Sequence, residues 1–98
     1  MSVKVILIKD KPVGQFQLER DITSIGRRSE CDISIKDPAV SGSHAQIQKL
    51  GKNYVIEDLG STNGVVYNGR KAARDIVQFV PFNEYKSLHY SKVAEVTL

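Results

Sequence analysis

Apolar and polar residues alternate with a period of two along most of the chain, the spacing at which side chains fall on opposite faces of a strand. Val3-Lys4-Val5-Ile6-Leu7-Ile8 is rich in β-branched residues and predicts a first strand. After a turn placed at Pro12-Val13-Gly14, Phe16 and Leu18 alternate with Gln15, Gln17 and Glu19 and predict a second. Ile22 and Ile25 lead into Gly26, and Ile33 and Ile35 flank Ser34. Ala45, Ile47 and Lys49 alternate with Gln46, Gln48 and Leu50, and Tyr54, Ile56 and Asp58 with Val55 and Glu57. Further strands are predicted over 65–67, 76–80, 87–90 and 93–98. Turn signals at Gly51-Lys52-Asn53, at Gly60-Ser61-Thr62-Asn63-Gly64 and at Asn68-Gly69 separate them. No segment of helical length carries an apolar stripe, and Pro81 leaves 80–86 open to more than one reading. About ten short strands joined by Gly/Asn turns predict an all-β fold, a β-sandwich of two mainly antiparallel sheets with function in the loops at one end.

The length of 98 residues fits one domain, taken as 1–98. With 41% apolar and 26% charged residues the composition is that of an ordinary folded chain. The net charge of +3 is too small for a dedicated nucleic-acid binder but suits an acidic or phosphorylated partner. Cys31 is the only cysteine, so no internal disulfide can form and a reducing compartment is expected. Met1-Ser2 runs straight into the first strand and no apolar run approaches the ~18 residues of a membrane helix. The expectation is a cytoplasmic protein with no membrane partner.

Three loop segments are polar and small where a core would not be: Gly26-Arg27-Arg28-Ser29, Ser41-Gly42-Ser43-His44 and Gly60-Ser61-Thr62-Asn63-Gly64. Each stands at a predicted strand end. Arginine offers a planar, permanently charged fork that matches a phosphate. Serine and threonine hydroxyls can donate to phosphate oxygens, and asparagine can clamp the main chain of an extended peptide. Glycine lets the backbone approach closely or take a positive φ. Together these loops make a neutral-to-positive pocket suited to a dianion.

The ordered set Gly26-Arg27, Ser41-Gly42-Ser43-His44, Thr62-Asn63-Gly64 and Asn68-Gly69 resembles the loop pattern of forkhead-associated (FHA) domains, with Cys31-Asp32-Ile33 and Glu57-Asp58-Leu59-Gly60-Ser61 between. The similarity is strong over residues 22–69, and the flanks match only as generic strands. The resemblance implies an eleven-stranded β-sandwich that reads phosphothreonine in Ser/Thr-kinase signalling. Carried over by position, it implies that Arg27 and Ser41 bond the phosphate, that Thr62 adds a further phosphate contact, and that Asn63 holds the peptide main chain. Arg28 and Gly42 are further candidates for peptide contact. His44 would brace the loops, Gly26 would supply the tight turn that aims Arg27, and Gly64 would be structural. The implied partner is a phosphothreonine-containing protein, a kinase substrate or the kinase itself, bound by a monomer with no cofactor and no metal.

The chain departs from that pattern at three places. Gly42 stands where the family often carries Arg or Asn, Ala39 offers no polar side chain, and Arg74-Asp75 replaces Gly-Asp. These bear on peptide specificity more than on the phosphate pocket. Ser43, Ser61, Asp32 and Asp58 are read as loop-organising residues, and His89 has no nameable partner.

Three other readings compete. A hydrolase would need Ser41 or Ser43 within reach of His44 in an open cleft. A nucleic-acid binder would need an aromatic stacking stripe, which the sequence lacks. The nearest alternative is a scaffold of the same fold that binds a protein partner whatever its phosphorylation. The set Arg27, Ser41, Thr62 and Asn63 favours the phosphate reader.

Overall fold

The computed structural model describes residues 3–9, 11–67, 69–81 and 92–98. The expected strand at 87–90, His89 and Asn68 lie outside them. Within the described residues the chain forms eleven strands and no helix: β1 (Val3–Lys9), β2 (Lys11–Gln17), β3 (Ile22–Gly26), β4 (Ile33–Ser34), β5 (Ala45–Leu50), β6 (Asn53–Asp58), β7 (Val66–Tyr67), β8 (Arg70–Lys71), β9 (Arg74–Ile76), β10 (Val80–Pro81) and β11 (Lys92–Thr97). They make two sheets. One runs β2-β1-β11-β7-β8, with β10 also on β11, and the other β4-β3-β5-β6-β9. Pairing is antiparallel except for β1 with β11 and β3 with β4.

The period-two pattern becomes burial in a direct way. In β5, Ala45 and Ile47 are buried while Gln46 and Gln48 are half-buried on the other face. In β11, Ala94 and Val96 are buried around an exposed Glu95. The single core joins Leu7, Ile25, Ile47, Ile56, Val65 and Val96 from the two sheets. Val40 and Val65, which flank the loops of interest, are fully buried in that core and anchor the loops to it.

Two expectations need correction. Pro12-Val13-Gly14 is not a turn but part of β2. Leu7 pairs with Gly14 and Ile8 with Pro12, so Val13 is the extra residue of a bulge. β2 is an edge strand, and Pro12 stands next to its bulge, the two places where a sheet tolerates proline. The strand expected at 76–80 is two short ones. β9 ends at Ile76, and β10 begins at Val80 in the other sheet. Val77 N–H still bonds to Tyr54 O (2.8 Å), and Phe79 packs edge-on against Tyr54 with ring centres 5.4 Å apart. That local packing carries the chain across between sheets.

Candidate functional site

The β3–β4, β4–β5 and β6–β7 loops come together, and main-chain hydrogen bonds tie them. Arg27 N–H donates to Ser41 O (2.9 Å) and Arg28 N–H to Gly42 O (3.2 Å), which lays the first loop alongside the second. Gly26 sits at the closest approach. It is the last residue of β3 and has no positive φ. A Cβ there would overlap the Gly42 carbonyl oxygen and lie 3.0 Å from Cys31 Sγ. Glycine is required because backbone passes against backbone, which no reading of one segment alone can reveal.

Beneath the second loop, His44 is fully buried. Its Nδ1 accepts from Ser41 N–H (3.1 Å) and its Nε2 lies 2.7 Å from Gly64 O. This pair of partners selects the neutral tautomer with the proton on Nε2, which donates to Gly64 O. One ring thus links the second and third loops. Both ring nitrogens are committed to main chain, so His44 is not available as a base for Ser41 or Ser43, and the triad geometry of a hydrolase is not formed. Gly64 holds φ at +82°, a region that favours glycine, which lets its carbonyl turn inward.

The third loop is built from its own side chains. Asp58 Oδ1 accepts from Ser61 N–H (2.8 Å) and Ser61 Oγ from Gly64 N–H (2.9 Å). These bonds hold Thr62 and Asn63 at the exposed tip. Thr62 N–H donates to Ser41 Oγ (3.0 Å), and Asn63 Nδ2 donates to Ala39 O (2.8 Å). Asn63 therefore braces the second loop, using one of its amide hydrogens and, among the described residues, leaving the other and Oδ1 free for a further partner. Ala39, which has no polar side chain, takes part through its carbonyl.

The first loop is pinned from behind. Ser24 Oγ accepts from Asp32 N–H (2.8 Å) and donates to Asp32 Oδ2 (3.1 Å), which also accepts from Ser24 N–H (2.9 Å). The main-chain N–H of Ser24 is the chief reason the Asp32 carboxyl titrates below its ordinary range. Desolvation opposes this, while the Ser24 hydroxyl and the nearby Arg20 add to it. Lys36, which the sequence reading did not single out, donates from Nζ to Arg27 O (2.9 Å) and Ser29 Oγ (2.8 Å). With its carbonyl held, the Arg27 side chain is left exposed, and no carboxylate pairs with it among the described residues.

Arg27, Ser41, Gly42, Thr62 and Asn63 are thus brought to one end of the sandwich, exposed or half-buried, with Gly26, His44 and Gly64 buried in the same loops. Arg28 is exposed and lies over Gly42. What this surface presents is the guanidinium of Arg27 with that of Arg28 beside it, a hydroxyl whose oxygen already accepts a hydrogen bond, a second hydroxyl on Thr62 and a half-committed amide. Such a set donates to an anion. Among the described residues, no helix is long and apolar enough to cross a membrane, and no group of three or more His, Cys, Asp and Glu could hold a metal ion.

Comparison with known proteins shows the family and the fold. The family model described as FHA domain matches residues 23–81. An oxoglutarate dehydrogenase inhibitor of Corynebacterium jeikeium is 37% identical over 54 residues, covering 55% of this chain and 38% of that protein. The structure of Mycobacterium tuberculosis EmbR in complex with a low-affinity phosphopeptide superposes with a TM-score of 0.64 at 35% identity, over 66% of this chain and 17% of the other. A structure of phosphothreonine-dependent FHA domain interactions superposes with a TM-score of 0.62 at 28% identity, over 66% of this chain and 68% of the other. The chain spans well under half the length of the curated relatives it matches.

Proposed function

We infer that this chain, which belongs to the FHA-domain family, is a non-enzymatic module that binds phosphothreonine-bearing segments of a protein partner. The observation that carries the reading is the bond from Thr62 N–H to Ser41 Oγ. It fixes the serine oxygen from one side and leaves the hydroxyl proton as the group that can be offered outward. Arg27 supplies the permanent charge, Ser41 and Thr62 supply hydroxyl donors, and Asn63 uses its free amide groups on the peptide main chain. Gly42 and Arg28 border this pocket and contact the flanking peptide. Gly26, His44 and Gly64 hold the loops without touching the ligand. The phosphopeptide complex of EmbR, a relative in fold and sequence, supports the choice of ligand class. The module comprises 1–98, acts as a monomer in the cytoplasm, and needs no cofactor; its partner is a Ser/Thr-kinase substrate or the kinase itself.

The test is calorimetry with one peptide in three forms: threonine, phosphothreonine and phosphoserine. Binding is expected for phosphothreonine, weaker binding for phosphoserine, and none for threonine. Affinity should fall as pH drops below about 6, where the phosphate loses its second charge. Equal affinity for the threonine and phosphothreonine forms would instead favour a scaffold that ignores phosphorylation.

A further inference from the structure

Gly42 carries no side chain, yet the space above it is filled. A Cβ built there would lie 3.1 Å from Arg28 Nε, 3.4 Å from Cγ and 3.7 Å from Cδ. The Arg28 side chain is therefore laid flat across the residue that follows Ser41, and the bond from Arg28 N–H to Gly42 O (3.2 Å) holds its root on the same residue. The side chain stays exposed, and among the described residues no carboxylate reaches ion-pairing distance of it. Consecutive Cα atoms are ~3.8 Å apart, so this guanidinium stands one residue away from the proposed phosphate donor. It is a held, unpaired cation beside a site that already has its own arginine.

We propose that Arg28, laid across Gly42, forms a second anion subsite next to the phosphate pocket, and that the partner carries a further negative charge close to its phosphothreonine. That charge is a carboxylate or a second phosphate, since the guanidinium fork fits either. The proposal rests on the phosphothreonine reading above and adds a specificity to it. Gly42 takes part by being small: a methyl group there would crowd Arg28 Nε and make it shift by a few tenths of an ångström, and a bulky side chain would fill the place where Arg28 lies.

The experiment measures the affinity of the full chain for a set of phosphothreonine peptides. One has neutral flanks, others carry an aspartate in turn at each flanking position, and others a second phosphothreonine at the same positions. The wild-type chain should bind the best aspartate peptide about fivefold more tightly than the neutral one, the upper range for an exposed ion pair. The best doubly phosphorylated peptide should gain about tenfold, since phosphate carries more charge and accepts the fork bidentately. Arg28→Gln should bring both ratios close to one, Arg28→Lys should keep part of them, and Gly42→Leu should reduce them by filling the place where Arg28 lies. A residue that merely supported the loop would weaken all peptides alike and leave the ratios unmoved. If phosphothreonine preference is intact and the ratios are the same in Arg28→Gln as in wild type, the second subsite is wrong and the parent reading stands. If the wild-type chain does not distinguish phosphothreonine from threonine, both fall.

Discussion

Arg27, Arg28, Thr62 and Asn63 are exposed and Ser41 and Gly42 half-buried, whereas Gly26, His44 and Gly64 in the same three loops are buried. The outer residues are positioned through main-chain groups: Arg27 by its N–H and carbonyl, Thr62 by its N–H. Among the described residues the side-chain ends of Arg27 and Thr62 are uncommitted, whereas Ser41 Oγ and Asn63 Nδ2 each also hold a neighbouring loop. The inner residues are the reverse. His44 uses both ring nitrogens on neighbouring loops, and Gly26 and Gly64 serve through the side chains they lack. Placing Arg27 and Thr62 by backbone means that their side-chain chemistry can be changed without disturbing the scaffold, while the inner layer can scarcely change at all.

The sharpest way to break this contrast is Arg27→Ala. Truncating one partner of a hydrogen-bonded charge pair costs about 2–5 kcal/mol of affinity, so phosphopeptide binding should weaken by well over tenfold. Circular dichroism and the melting temperature should stay those of the wild type, because an exposed side chain contributes little to the core. Arg27→Lys should restore only part of the affinity, a point charge being a poor copy of the fork. Wild-type affinity in Arg27→Ala would place the phosphate elsewhere.

Inner-layer variants should reverse the readouts. Gly26→Ala forces a methyl group into the Gly42 carbonyl, an overpacking that typically costs about 1–3 kcal/mol. His44→Ala strands Gly64 O and Ser41 N–H without their shared partner, at about 1–3 kcal/mol for a buried unsatisfied group. Either should lower the melting temperature by several degrees, at roughly 4–8 °C per kcal/mol for a domain of this size. Unchanged thermal unfolding in His44→Ala together with lost binding would move His44 from the inner layer to the outer.

The smallest effect is expected at Asp32, behind the first loop. Its carboxyl titrates below the ordinary aspartate value of 3.8, so its contribution is fully present above that pH and is lost as the pH falls through the lower folded-state value. Because the group is exposed and screened, the loss should be slight. Asp32→Asn should be a little less stable than wild type at neutral pH and should flatten the steepest part of the acid-unfolding curve, below pH 4. This window lies well under the pH of about 6 at which the phosphate changes charge, so titrating both binding and folding separates ligand from scaffold. An acid limb identical in the two proteins would remove Asp32 as an anchor of that loop.

The strands at the centres of the sheets were legible in the sequence because burial on one face imposes alternation, as in Ala45-Gln46-Ile47-Gln48. The three loops were legible for a similar reason, since Gly, Ser, Asn and Arg clusters cannot be core. What escaped were features that depend on a distant neighbour. Proline read as a turn at 12, because sequence does not disclose that β2 is an edge strand. β8 has only Arg70 and Lys71, both exposed, and no apolar period to show it. The need for glycine at 26 is set by a carbonyl at 42, and the reach of Lys36 to Arg27 O spans nine residues. Asn63 offered an amide for a ligand, and only the folded chain reveals that half of it already braces Ala39 O.

β1 and β11 lie side by side and run in the same direction, matched from Val3 with Lys92 to Ile8 with Thr97. A pull between residue 3 and residue 97 therefore acts along the strands in opposite senses. It shears six residue pairs together and cannot open them one after another as it would in an antiparallel pair gripped at one end. Mechanically the sandwich is a rivet loaded across its shank, which resists tension between those two points while the loops at its end remain free to grip and release.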